Sequence, residues 1–249
     1  MISTTKHWLL LTLAVLVARS CAASAADAPL KIHIISGAAE YKSEPSLKEF
    51  KEFLEKHYRV TCTASWGKDG AVKLDNLDAV PSADLLIVFA RRLKLEDEHM
   101  RIVRKHWEQG KPVIGIRTAS HAFQAADNAI FDKQVLGGSY RGAGDYTTPF
   151  KAIAAEGKGE HPLLKEVGSI TSKGYYNNDK LADGAIVVQV VESMKKIPPP
   201  VTWVHTFKGG RMFYTSMGTP EDFKQDAFRR LLINAVFWTT QRVPEKMKQ

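Results

Sequence analysis

Cysteine is nearly absent from this sequence: Cys21 and Cys62 are the two in 249 residues. Cys21 falls in a segment read below as a removable leader, which leaves Cys62 alone. One thiol forms no internal disulfide, so the fold must rest on a hydrophobic core. Cys62 stands in the β-like stretch Val60-Thr61-Cys62-Thr63-Ala64, where a small buried apolar role is expected. A nucleophile there would need a base and an electropositive surround, and its neighbours supply neither. A run of five basic residues is also missing. The formal charge of +8 falls to near +6 without Lys6 and Arg19 of the leader, and it is spread along the chain. That argues against a nucleic-acid partner and leaves anionic polysaccharide or cell-surface material as better company. There is no His-Glu-x-x-His and no cysteine pair, and Glu98-His99 with His106 reads as a solvated helix face, so no metal is expected. Gly137-Gly138 and Gly142-Ala143-Gly144 lack the strand–helix flanks and the lysine of a phosphate-cradling loop. No cofactor is implied. With 44 % hydrophobic and 25 % charged residues, disorder, collagen and coiled coil are poor descriptions of the chain. Repeats and low-complexity stretches are absent too.

What is present begins with an address. Lys6 precedes the apolar run 8–17 (WLLLTLAVLV), and Ala22-Ala23-Ser24-Ala25-Ala26 follows. That order is a secretory signal peptide. The run is too short to span a bilayer, which takes about 20 residues. Arg19 fits a lipid-attachment box at Cys21 badly. Cleavage is expected near Ala25 or Ala26, dividing the chain into a leader at 1–26 and one domain at 27–249. The product is then periplasmic or extracellular, without a transmembrane anchor.

The domain alternates strands and helices. Residues 30–36 (LKIHIIS), 59–66, 84–90 (DLLIVFA) and 112–116 (PVIGI) read as strands. The last two are near-continuous apolar runs, as expected of strands covered on both faces. Helical spacing marks 45–57, with Ser43 or Ser46 as possible caps, and 96–109, with Met100, Val103 and Trp107 on one stripe. A helix is also expected over 120–126. This βαβαβα order implies parallel strands with right-handed crossovers. Later segments 150–155, 185–191, 201–207 and 211–216 are strand-like, and Lys208-Gly209-Gly210 marks a hairpin. Residues 221–240 read as a closing helix. The expected fold is α/β: a single three-layer, doubly wound, mostly parallel sheet of flavodoxin-like type, with antiparallel strands added in the C-terminal half.

In such sheets ligands bind beyond the carboxyl ends of the strands. Three ends carry polar residues: 36–44, 117–121 and 217–223. They offer Glu40, Glu44, Arg117, His121 and Glu221, the strand before the last end adds Tyr214 and Ser216, and His205 is a weaker candidate on either face of its strand. Each has a plainer role: Ser43, Ser120 and Thr219 as helix caps, Glu221 and Asp222 against a helix dipole, His121 as packing. Carboxylates, hydroxyls and aromatics together suit a carbohydrate-like small molecule.

The stretches Ile35-Ser36-Gly37, Glu40-Tyr41-Lys42-Ser43-Glu44, residues 110–123 (GKPVIGIRTASHAF), 209–218 (GGRMFYTSMG) with Pro220-Glu221-Asp222-Phe223, and Arg229-Arg230-Leu231-Leu232-Ile233-Asn234-Ala235 resemble the trehalose-utilisation (ThuA-like) family, within the class I glutamine amidotransferase-like fold. The resemblance implies a comparison with a Cys-His-Glu triad. Arg117 stands where the cysteine would, Thr219 falls where the histidine would, and Glu221 is the sole remnant. A guanidinium stays protonated and is no nucleophile, so glutamine hydrolysis is not expected. The resemblance points to carbohydrate metabolism, with His121, Glu40 and Glu221 read as catalytic and Arg117, Glu44, Tyr214, Ser216 and His205 as ligand-binding. A cation at a helix start is unfavourable, so Glu40 or Glu221 is expected to offset Arg117. The alternative is a non-catalytic ligand-binding or envelope interaction protein on a degenerate scaffold.

Overall fold

A computed structural model describes residues 28–247. The leader read at 1–26, and Cys21 within it, lie outside the described residues. Strands β1 (Leu30–Gly37), β2 (Val60–Trp66), β3 (Leu85–Ala90) and β4 (Val113–Ile116) alternate with helices α1 (Ser43–His57) and α2 (Asp97–Glu108). The short helix α3 (Ala125–Ile130) follows, then β5 (Tyr140–Ala143), β6 (Pro149–Ala154), β7 (Ile170–Lys173), β8 (Tyr176–Asn178), β9 (Ile186–Val191), β10 (Pro200–Phe207) and β11 (Gly210–Thr215). Helices α4 (Pro220–Phe223) and α5 (Asp226–Thr240) close the chain.

Nine strands form one sheet in the order β2-β1-β3-β4-β11-β10-β9-β6-β7, and β5 with β8 makes a separate ribbon. β1, β3, β4 and β11 run parallel. From β11 outward, each strand through β10, β9, β6 and β7 is antiparallel to the last. The hydrophobic runs explain the centre. All six residues of β3 are buried, because alternate side chains reach helices on both faces. Leu86, Val88 and Ala90 pack in one core with Met100, Val103 and Trp107 of α2. The opposite parity serves the other face, where α5 lies against β3, β4 and β11.

Several local readings are corrected. Ser43 does not cap α1; Lys42, in left-handed conformation, precedes the helix. The Ser43 hydroxyl instead bonds the Ser36 hydroxyl at 2.8 Å and accepts the Ala38 N–H at 2.9 Å, tying the end of β1 to the start of α1. His106 is not on a solvated face: it is 2 % exposed. It sits three residues after Val103 and beside Trp107, so helical spacing puts it in the buried stripe, where Nε2 donates to the Pro112 carbonyl at 3.0 Å. The helix expected over 120–126 is a 3-10 turn at Arg117–His121 followed by α3. The Asn128 side chain captures the Ser120 carbonyl and the Phe123 N–H in between. The closing helix is two helices, broken at residues 224–225.

Candidate functional site

β4 ends at Ile116, and Arg117 then turns the chain with φ 47°. Left-handed backbone costs a long side chain about 1–2 kcal/mol. A sharp, strained turn between strand and helix is the elbow on which hydrolases mount a nucleophile above the sheet. Gly218, at φ 132°, passes directly over this elbow: a Cβ there would stand 2.7 Å from Ile116 Cγ2. Only glycine fits so close a crossing.

The elbow holds arginine, and the surroundings seal it. Arg117 is 1 % exposed. Its Nη1 donates to the carbonyls of Ser216 (2.9 Å) and Gly174 (3.2 Å), and Nη2 to that of Lys173 (3.4 Å). The guanidinium faces the rings of Tyr41, Tyr176 and Tyr146, with centroids at 4.2, 5.6 and 5.9 Å. Tyr214 donates its hydroxyl to the Arg117 carbonyl at 2.8 Å. The expected carboxylate partner is therefore a correction. Glu40 lies instead 3.5 Å from Arg91, which also holds Asp69 at 3.0 Å. Glu221 is exposed on α4. Carbonyl dipoles and ring quadrupoles do the neutralising.

Tyr214 and Ser216 are both fully buried; one steadies the elbow backbone and the other lends its carbonyl, so neither faces a ligand. Glu44 pairs with Lys48 one turn along α1 at 2.6 Å. His205 is not at this edge. It pairs with Met212, which lies beside Val113 at the start of β4, roughly four residues or 13 Å down the strand from the elbow. At the turn after β11 the buried carboxylate is Asp222, not Glu221. Its Oδ2 accepts from Gly218 N–H (2.7 Å), Thr219 N–H (2.8 Å) and the Ser172 hydroxyl (2.8 Å). Thr219 returns the cap to the Asp222 N–H, so this pair is a capping box.

His121 opens onto a cavity of about 470 Å³, which is also lined by Arg92, Lys94, Phe123, Asp132, Lys133 and Tyr140. The cavity lies beyond the carboxyl ends of β3 and β4. Two backbone bonds build it: Arg92 N–H to the His121 carbonyl (2.9 Å) and Leu93 N–H to the Ala122 carbonyl (2.7 Å). The His121 ring stacks on Tyr140 at 4.4 Å and meets the edge of Tyr176 at 5.3 Å. Its Nδ1 lies 3.1 Å from the Ser120 hydroxyl. Burial, reinforced by the charges of Arg91 and Arg92, pushes its pKa down to about 4, so the imidazole is neutral at pH 7.

Asp132, Tyr140 and Arg92 are site residues that the sequence reading misses. Asp132 is 4 % exposed and sits on a π-turn, Phe131–Val135, that follows α3. Its Oδ2 accepts the Tyr140 N–H at 2.9 Å, and burial lifts its pKa to about 6. The signal in the sequence is the Gly137-Gly138 pair. A Cβ at Gly138 would stand 2.4 Å from Asp132 Oδ1, so the glycine makes room for a buried acid. Among the described residues, no group of three or more His, Cys, Asp or Glu is disposed to hold a metal ion, and no helix is long and apolar enough to cross a membrane.

Fold and site together define a doubly wound α/β protein whose elbow is filled by a sealed arginine, with an open pocket beside it. The family model described as trehalose utilisation, ThuA, matches residues 31–239, and the chain belongs to that family. Among solved structures it is similar to a ThuA-like protein from Bacteroides uniformis, at 17 % identity and a TM-score of 0.65 over 86 % of this chain and 93 % of that one. A ThuA-like protein from Parabacteroides merdae is similar at 15 % identity and a TM-score of 0.64, covering 89 % and 94 %. A β-galactosidase from Rahnella sp. R3 contains the fold in 32 % of its length, at 13 % identity and a TM-score of 0.59 over 87 % of this chain. No curated protein matches the chain. At these identities the structural likenesses establish the fold.

Proposed function

We propose that this is an exported protein that takes a carbohydrate or modified sugar into the pocket beside His121, without glutamine amidotransferase chemistry. The observation that carries the reading is the pairing of a sealed elbow with an open cavity at the same sheet edge. Arg117 is bound on three carbonyls and among three rings, which leaves the triad position without a nucleophile or room for one. The cavity next to it combines an aromatic wall, Tyr140 and Phe123, with His121 and Asp132, and its volume is that of a small-molecule site, about 300–1,000 Å³. The Nε2 of His121 has no hydrogen-bond partner among the described residues; its ring bonds through Nδ1 to Ser120. Asp132, with its pKa near 6, is suited to passing a proton close to neutral pH. The low basicity of His121 favours the alternative in which the pocket binds without turnover. Family membership supports a role in sugar utilisation, and the leader supports export.

The test is calorimetric titration and thermal shift of the protein without its leader against mono- and disaccharides, keto-sugars and sugar acids. A ligand selective for the folded state raises the melting temperature. His121→Asn and Asp132→Asn should each weaken the response at least tenfold, about 1.4 kcal/mol. No response to any saccharide refutes the reading. Conversion of a bound sugar decides turnover against binding, and the N-terminal mass of the exported chain decides the leader.

A further inference from the structure

We infer that the ligand of the His121 pocket is an anionic saccharide, one that carries a carboxylate or a phosphate besides its hydroxyls. The inference rests on the proposed sugar site and names its substrate class. Three cations, Arg92, Lys94 and Lys133, line the cavity. None has an ion-pair partner among the described residues, whereas nearby Arg91 is held by Glu40 and Asp69, and Arg104 by Asp127. Asp132 is the one carboxylate in the lining, and its side chain is turned to the Tyr140 N–H rather than to a cation. The pocket therefore holds a net positive charge at a sheet edge where the fold already places ligands. A cleft lined by one sign of charge on low-dielectric walls concentrates the opposite sign.

The placement is built rather than incidental. The Arg92 N–H is fixed on the His121 carbonyl, and Arg92 itself is held at φ 51°, so its side chain springs from the segment that forms the pocket wall. Its charge reaches both His121 and Tyr140. A neutral sugar would satisfy His121 and the aromatic wall but leave three cations with water alone. A bare anion would meet the cations and leave the stacked Tyr140–His121 wall without an apolar face to cover. A sugar with one anionic group matches both halves of the lining.

The experiment is a calorimetric titration of matched ligands: glucose and trehalose as neutral sugars, gluconate and glucuronate as sugar acids, glucose 6-phosphate, and acetate and inorganic phosphate as bare anions. At least one anionic sugar should bind tenfold or more tightly than glucose and than its bare anion. That preference should shrink as salt rises, because exposed charges are screened. The exposed side chains are removed by Arg92→Gln with Lys133→Gln, which should abolish the preference for the anionic sugar over glucose. Lys195→Gln, on the remote loop between β9 and β10, should change nothing. Which anionic sugar wins tells carboxylate from phosphate. Neutral sugars that bind as well as acids, or a preference that survives the double substitution, overturn the inference and leave the sugar site standing. Equal binding of the bare anion also overturns it. Silence from every saccharide overturns the site and the inference together.

Discussion

Lowering the pH from 7.5 to 4.5 should remove about 5 kcal/mol of stability. The cause is three buried imidazoles. His33 is fully buried, with Nδ1 at 2.8 Å from the Thr63 hydroxyl and Nε2 at 3.0 Å from that of Ser65. His106 lies under α2, and His121 faces the pocket. Burial pushes the pKa of each from 6.5 to about 4, helped at His33 by the charge of His106. Well above pH 6.5 the imidazoles are neutral in both states and contribute nothing. Between the two pKa values the unfolded chain takes up protons that the folded chain refuses, so stability falls as pH falls. By pH 4.5 each imidazole has cost about 2–3 kcal/mol. Asp132 acts the other way. Its folded pKa, near 6, lies above the ordinary value of 3.8, so the strain of keeping it charged at neutral pH is relieved on acidification, returning about 2 kcal/mol. The imidazoles outweigh it. Since a domain of this kind has about 5–15 kcal/mol in total, acid unfolding should be visible.

The assay is the urea midpoint as a function of pH. His33→Asn removes one titration while keeping polar groups beside Thr63 and Ser65. It should flatten the curve by about 2–3 kcal/mol across this range, whatever it does to stability at pH 7.5. A wild-type curve level down to pH 4.5, or an unchanged slope in His33→Asn, would refute the argument.

Arg117→Ala should cost about 3–5 kcal/mol by chemical denaturation, because it leaves three carbonyls unpaired and a cavity among three rings; Arg117→Lys should not restore the loss, since an ammonium lacks the planar fork. Asp222→Ala should cost about 2–4 kcal/mol, because the Gly218 and Thr219 N–H groups and the Ser172 hydroxyl lose their shared acceptor; a variant within 0.5 kcal/mol of wild type by the same measurement would contradict the capping role. Cys62 is 7 % exposed and burial pushes its thiol up to about 12, so it should resist alkylation in the folded protein and react at the ordinary rate in urea, and Cys62→Ala should cost roughly 1 kcal/mol.

The central sheet is legible in the sequence because its signals are local. The runs at 84–90 and 112–116 announce strands covered on both faces, and the order βαβαβα then fixes parallel pairing. The late hairpin is equally plain at Lys208-Gly209-Gly210. β5, β7 and β8 escape notice because they are three or four residues long and largely polar; long-range pairing makes them strands, and their own composition does not. His106 shows the same limit from the other side. Its charge type suggests solvent, yet the helix period places it beside Trp107, and the period wins because turning one imidazole outward would expose the indole.

The elbow marks where local reading ends. That Arg117 follows β4 is visible in the sequence, and so is the mismatch between a cation and a helix start. The inference that a carboxylate must answer it follows from side-chain chemistry alone, and it names the wrong partner. The true partners are carbonyls at 173, 174 and 216 and rings at 41, 146 and 176. Every residue owns a carbonyl, so a cation held through its terminal nitrogens by backbone leaves no acidic signature anywhere in the chain. The same logic hides Asp132, whose one clear sequence trace is the glycine at 138 that clears space for it. Carboxylates that stand out in the sequence, Glu40, Glu44 and Glu221, do so because they are exposed or paired near the surface. The acids that shape this sheet edge, Asp132 and Asp222, are held by backbone N–H groups, and their positions become apparent once the turns that present those groups are in place.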